Sequence, residues 1–110
     1  MVNSLKQIEE FENFVRENIA AVIYFSTPDC SVCKVLKPKL FGFLDENFPK
    51  IEKAYVDLGE AKELGGQQRI FTVPTILFYF DGKEFIRKSR NINLVELKDE
   101  LERIYKLMFD

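Results

Sequence analysis

The chain has 110 residues, 46% of them apolar, with eleven Phe and no Trp. That is enough for one modest core without a disulfide staple, so a single domain over residues 1–110 is expected. A net charge of −2 argues against a general nucleic-acid binder and against a protein held on an anionic membrane.

Residues 1–18 are mixed and charged, with no apolar stretch of the signal-peptide kind. The longest apolar run, Ile19 to Phe25, is far short of the roughly 20 residues that a membrane span needs. A soluble, cytoplasmic protein is the expectation. Ile8, Phe11 and Val15 fall on one helical face with Leu5 above them, which predicts a first helix. Ser4 and Gln7 have capping-box spacing, while Val2–Leu5 suit either a strand or a first helical turn.

Ala20 to Phe25 is continuously apolar and predicts a central strand covered on both faces. Thr27-Pro28-Asp29 ends it. A helix is predicted from about Ser31 to Asn47, burying Leu36, Leu40, Phe43 and Leu44. Pro38 inside it removes a backbone donor and should kink it, and Gly42 loosens it further. Lys34, Lys37 and Lys39 belong on its solvated face.

Ile51 to Asp57 predicts a second strand, in which Lys53 breaks the apolar pattern and must be either exposed or functionally placed. Glu60 to Leu64 suits a short helix stopped by Gly65-Gly66. That glycine pair is no phosphate loop, since no Lys-Ser/Thr follows and no strand leads into it. Thr75 to Phe80 is strongly β, Asp81-Gly82 is a type I′ hairpin signal, and Glu84 to Lys88 returns. Asn93 and Glu96 open a last helix with Leu94, Leu97, Leu101, Ile104 and Met108 on one face. A strand–helix–strand unit implies parallel pairing, and the hairpin adds antiparallel strands. The expected fold is α/β, three layers (α/β/α) around a mixed central sheet.

Cys30 and Cys33 are the two cysteines of the chain, spaced C-x-x-C where a strand passes into a helix. A standing structural disulfide is unusual in a cytosolic protein, so the spacing points to redox or metal chemistry. The attacking species in disulfide exchange is the thiolate. Cys30 lies just before the helix, where free N–H groups and the helix dipole favour a negative sulfur. It is therefore the candidate nucleophile, and Cys33, one turn further on, is the candidate resolving thiol. Two other readings stay open. The cysteines also suit two small apolar positions on a helix face. They are also half of a metal site, but zinc needs about four ligands. With no His and no third Cys, carboxylates or a second chain would have to complete it, as they would an iron–sulfur cluster bridged across a dimer.

At this point the sequence resembles the thioredoxin family. The resemblance rests on the strand entering Cys30-Ser31-Val32-Cys33-Lys34 with Pro38 in the helix, on Lys53 with Asp57 in the next strand, and on Thr72-Val73-Pro74-Thr75 before an apolar strand and the Asp81-Gly82 turn. It implies a thioredoxin fold and thiol–disulfide exchange with protein disulfide substrates. An upstream disulfide reductase would supply electrons. The dithiol is itself the electron carrier, so no cofactor and no metal is implied, and monomer is the default state. It further implies a cis Pro74 beside the sulfurs and a substrate chain paired with the backbone of Val73. Val32 and Phe71 are candidate apolar contacts in that groove, although a core position is expected for Phe71.

The departures from the family are informative. Asp29 stands where most members have Trp, and Ser31-Val32 where they have Gly-Pro. A carboxylate beside Cys30 opposes its ionisation. Tyr24 occupies the place of the family's buried acid and is a poor base at neutral pH. Lys53, freed of that acid, is then a candidate to stabilise the Cys33 thiolate directly. These departures keep a second class open: a binding module that presents the groove of Val32, Val73 and Pro74 without turnover.

Overall fold

In a computed structural model, which describes residues 2–110, the strand leading to the cysteines spans Ala20–Ser26 and is buried at every position. Its unbroken apolar sequence requires cover on both faces, and the other elements supply it. In chain order they are β1 (Val2–Ser4), α1 (Ile8–Glu17), β2 (Ala20–Ser26), α2 (Ser31–Asn47), β3 (Glu52–Asp57), α3 (Lys62–Gln67), β4 (Thr75–Phe80), β5 (Lys83–Ser89) and α4 (Leu94–Phe109). The sheet order is β1-β3-β2-β4-β5. β1, β3 and β2 run parallel, while β4 and β5 pair antiparallel.

Side chains alternate across a strand, and β2 splits accordingly. Ala20, Val22 and Tyr24 pack with Cys33 and the buried faces of α2 and α4. Ala21, Ile23 and Phe25 pack with α1 and α3 on the other side. The result is the expected three-layer α/β/α thioredoxin fold. Leu40, Leu44, Leu97 and Leu101 are fully buried, each contributing about 1.5–3 kcal/mol over an exposed position, and they pin α2 and α4 to the sheet. The buried stripe of α2 is Cys33, Leu40, Phe41 and Leu44, with Leu36 and Phe43 only partly covered. α2 runs unbroken through Pro38, which has no N–H to offer the Lys34 carbonyl.

Two local expectations are corrected. Ser4 takes no part in capping α1, because Val2–Ser4 pair with Lys53–Tyr55 of β3. The cap lies one turn later, where the Glu10 carboxylate accepts from the backbone N–H of Lys6 (3.0 Å) and Gln7 (2.9 Å). The Gly65-Gly66 pair does not stop α3, which continues to Gln67. Gly65 is there for a close approach: a Cβ would come within 2.7 Å of Leu58 Cδ2. The helix stops at Arg69, whose φ is 58°. The N–H of Ile70 bonds Gly65 O at 2.9 Å and that of Arg69 bonds Gly66 O at 3.2 Å, a Schellman end with arginine in the left-handed position.

The β4–β5 turn has positive φ at Asp81 (55°) and Gly82 (78°), as a type I′ hairpin requires. Tyr79 pairs with Glu84 but Phe78 with Ile86, so Phe85 is one extra residue in β5. Its ring packs edge-on against Phe80 with centroids 5.7 Å apart. Asn93 caps α4, its side-chain oxygen accepting from Val95 N–H at 2.9 Å and Glu96 N–H at 3.1 Å. No helix among the described residues is long and apolar enough to cross a membrane.

Candidate active site

The turn after β2 closes when Cys30 N–H bonds Thr27 O at 3.2 Å, and α2 begins at the next residue. Cys30 is the N-cap, in extended conformation, and its sulfur accepts from the N–H of Cys33 at 3.2 Å. Serine or aspartate usually fills this place with an oxygen; here a sulfur sits on the positive end of the helix. Cys30 and Cys33 are joined as a disulfide with Cα atoms 5.3 Å apart. The pair is asymmetric. Cys30 is partly exposed, whereas Cys33 is 2% exposed and part of the core. Among the described residues no group of three or more His, Cys, Asp or Glu side chains is arranged to hold a metal ion.

Across from the sulfurs lies the Val73–Pro74 bond, which is cis. Asp29, Cys30, Ser31, Val32, Val73, Pro74, Arg90 and Asn91 line one depression. The chain thus brings together Asp29, Val32, Val73 and Pro74 with Cys30. The N–H and C=O of Val73 are used by no hydrogen bond among the described residues. The approach to Pro74 is firmly held. Arg87 bonds the carbonyl of Gln68 at 3.0 Å and both carboxylate oxygens of Glu84 at 2.9 Å. Those bonds hold the Glu84 carboxyl below the usual range.

Phe71 corrects the sequence reading. It is 88% exposed and lies in the loop outside both cores, because the sheet resumes only at Thr75.

Beneath the pair, Tyr24 is wholly buried and donates its hydroxyl to Cys33 O at 2.9 Å. Its ring stacks on Tyr55 with centroids 6.4 Å apart and meets the edge of Phe41 at 5.8 Å. The Ser26 hydroxyl donates to Tyr55 Oη at 2.8 Å, and the Lys37 ammonium sits 4.1 Å over the Tyr55 ring. Lys37 is therefore placed against an aromatic face, an arrangement that attracts a cation. Burial, and then the neighbouring Tyr55, push the Tyr24 phenol up to about 12. It is neutral at physiological pH and serves as a hydrogen-bond donor.

Lys53 is 8% exposed, and its ammonium pairs with Asp45 of α2. Asp45 follows Cys33 by twelve residues of helix, or about 18 Å along the axis, so the ammonium faces away from the thiols. A Lys53→Met variant is expected to leave the pH dependence of Cys33 alkylation in the reduced protein unchanged. A displaced alkylation curve would return Lys53 to the thiol chemistry.

Sequence reasoning missed Arg90 and Asn91, which stand beside Pro74 because Arg90 N–H bonds Pro74 O at 2.9 Å. It also missed Tyr55 and Ser26 as the polar partners grouped with Tyr24. The alternating polar sequence of β5 offered no signal for Arg90, whereas the aromatic Tyr55 in β3 was visible as a face-mate of Lys53.

The thioredoxin family model matches residues 2–103. The thioredoxin-like protein YdfQ of Bacillus subtilis is 34% identical over 106 residues, covering 96% of this chain and 94% of YdfQ. Thioredoxin-1 of Saccharomyces cerevisiae is 26% identical over 84 residues, 76% of this chain and 81% of its own. In structure, the thioredoxin of Trypanosoma brucei brucei superposes with a TM-score of 0.83 at 26% identity, covering 96% of this chain and 92% of that one. Oxidised mitochondrial thioredoxin 3 of Saccharomyces cerevisiae shares the fold with a TM-score of 0.81 at 22% identity, over 93% of this chain and 94% of that one. Sequence match and fold agree over nearly the whole length, and with its cysteines joined at the head of α2 the chain belongs to the thioredoxin family of thiol–disulfide oxidoreductases.

Proposed function

We propose that the protein exchanges its Cys30–Cys33 dithiol with disulfides of protein substrates, Cys30 attacking and Cys33 resolving. The observation that carries this reading is the position of Cys30: a partly exposed sulfur at the N-cap of α2, accepting the Cys33 N–H at 3.2 Å. A thiolate there is stabilised by that N–H and by the helix dipole.

In the reducing direction the Cys30 thiolate attacks one sulfur of the substrate disulfide. The substrate S–S bond breaks, and the departing thiolate takes a proton from water. Cys33 then loses its proton to solvent and attacks Cys30 Sγ, which breaks the mixed disulfide and frees the second substrate thiol. Two electrons have passed from the dithiol to the substrate, and the protein is left oxidised. A dithiol-delivering disulfide reductase restores it. The uncommitted N–H and C=O of Val73 suit an extended substrate chain laid beside Pro74, and Val32 offers that chain an apolar contact. Asp29, next to Cys30, works against its ionisation.

Equilibration in graded thiol–disulfide buffers, followed by thiol trapping, tests the reading. A single two-electron transition is expected between about −270 mV, the thioredoxin value, and about −120 mV, that of a strong oxidant. A value at the low end makes the protein a reductase, and one near the top an oxidant. If no Cys30–Cys33 disulfide formed in any buffer, the exchange reading would fail, and a non-catalytic module built on the same groove would replace it.

A further inference from the structure

The groove beside the sulfurs extends beyond the reacting atoms. A second depression continues from the first and shares Ser31, Val32, Arg90 and Asn91 with it. It runs along α2 past Val35 and Leu36 to Lys39, with Ile92 on the opposite wall. Val32 and Val35 stay 60% and 58% exposed on its rim. The charges are ordered along this path. Asp29 lines only the first depression, Lys39 lines only the second, and Arg90 stands where the two meet. No acidic residue lines the second depression, although the chain as a whole carries a net charge of −2.

Arg90 is held for recognition from both ends. Its backbone has φ of 61°, in the left-handed region that residues with a side chain seldom adopt. The bond from its N–H to Pro74 O keeps it there. Its Nε donates to Thr72 Oγ1 at 2.9 Å, which fixes the plane of the guanidinium. Among the described residues no carboxylate lies within ion-pair distance of it, unlike Arg87, which is paired with Glu84. Among the described residues neither terminal amino group of Arg90 has a hydrogen-bond partner, Nε alone being engaged. An oriented fork with free donors matches a carboxylate in two-point geometry.

Resting on the exchange reading above, we propose that Arg90 is a specificity-determining residue. It selects protein substrates in which an acidic side chain lies next to the disulfide cysteine on an otherwise apolar segment. The carboxylate meets Arg90, the apolar side chains lie on Val32, Val35 and Ile92, and Lys39 adds attraction at the far end. A basic residue in the same place faces two cations.

The test uses matched peptides, each closed by one internal disulfide with apolar flanks, carrying Glu, Gln or Lys beside a cysteine on either side. Rate constants for their reduction by the reduced protein are compared. The Glu peptide is expected to react about tenfold faster than the Lys peptide, with a ratio that shrinks as salt is added. Arg90→Gly suits the left-handed backbone, so it removes the cation without loss of fold, and it should bring the ratio close to one. Arg90→Lys should keep part of it. Equal rates for all peptides with the native protein overturn the proposal while leaving exchange intact, as does a preference that survives in Arg90→Gly. Loss of oxidised-glutathione reduction in Arg90→Gly with an unchanged peptide ratio overturns the assignment to a protein segment. Failure to reduce any peptide removes the exchange reading and the proposal together.

Discussion

Replacing Cys33 by serine is expected to turn the protein from a catalyst into a trap. Cys30 is the partly exposed member of the pair and faces the groove, while Cys33 is in the core with its carbonyl tied to Tyr24. Attack on a substrate disulfide by Cys30 needs nothing from Cys33 beyond its backbone N–H, which the substitution keeps. Release of the substrate does need the second thiol. Well-oriented intramolecular groups act at effective concentrations of about 10⁵ M or more, whereas an external thiol in an assay is millimolar. Turnover of a disulfide-bonded protein by Cys33→Ser should therefore fall by about a thousandfold or more, and a covalent adduct through Cys30 should accumulate. Non-reducing electrophoresis and mass spectrometry of the adduct read this directly. Cys30→Ser should give no turnover and no adduct. Accumulation with Cys30→Ser in place of Cys33→Ser would reverse the two roles.

The second large effect is expected at Tyr24. Tyr24→Asp installs the carboxylate that thioredoxins carry at this place. The surroundings here are built for a phenol: a stacked Tyr55, an edge contact to Phe41, and a single acceptor, Cys33 O. The cation on the next strand, Lys53, is already engaged by Asp45. Losing the ring should cost about 3–5 kcal/mol, a large part of the roughly 5–15 kcal/mol that holds a domain together. The new carboxyl adds a pH dependence. Burial raises its folded pKa above the unfolded value, so the native state binds more protons between the two. Stability then falls as pH rises through that interval. Urea unfolding should place Tyr24→Asp nearer the native protein at pH 4 than at pH 8. Tyr24→Phe, which loses only the bond to Cys33 O, should cost about 1 kcal/mol with no such slope. A Tyr24→Asp protein as stable at pH 8 as at pH 4 would mean that a cation reaches the site, and the Lys53–Asp45 pairing would have to be abandoned.

The large features of the fold were open to reading because each had a local cause. β2 is apolar on both faces, Asp81-Gly82 can satisfy two positive φ angles, and Asn93 stands before an amphipathic stretch. The fold followed from those, and the C-x-x-C spacing marked the two cysteines that are joined at the head of α2. The misreadings have a common source in tertiary pairing. Ser4 could cap a helix, but β3 claimed it as a strand neighbour. Gly65 looked like a stop, but it is the floor on which Leu58 rests. Phe71 has the size of a core residue, yet the chain does not rejoin the sheet until Thr75. Lys53 broke an apolar pattern, but it is buried and its ammonium pairs with Asp45 rather than with the thiols. Its partner Asp45 sits on the solvent edge of α2, where one more acid among many carries no signal. Arg90 was invisible for a further reason, since its place beside Pro74 depends on how β4 and β5 slide past each other.

That alignment has a consequence for how relatives are compared. Counting back from the hairpin in regular steps would set Thr75 against Lys88 and Pro74 against Ser89. The extra residue, Phe85, moves the partner of Thr75 to Ser89 and delivers Arg90 to Pro74. In a homologue lacking that insertion, the chain reaches the groove one position sooner. An ungapped alignment would then equate Arg90 with a residue that has already passed the sulfur. The length of this hairpin thus sets which side chain stands beside Pro74, and divergence can change that side chain without altering either cysteine.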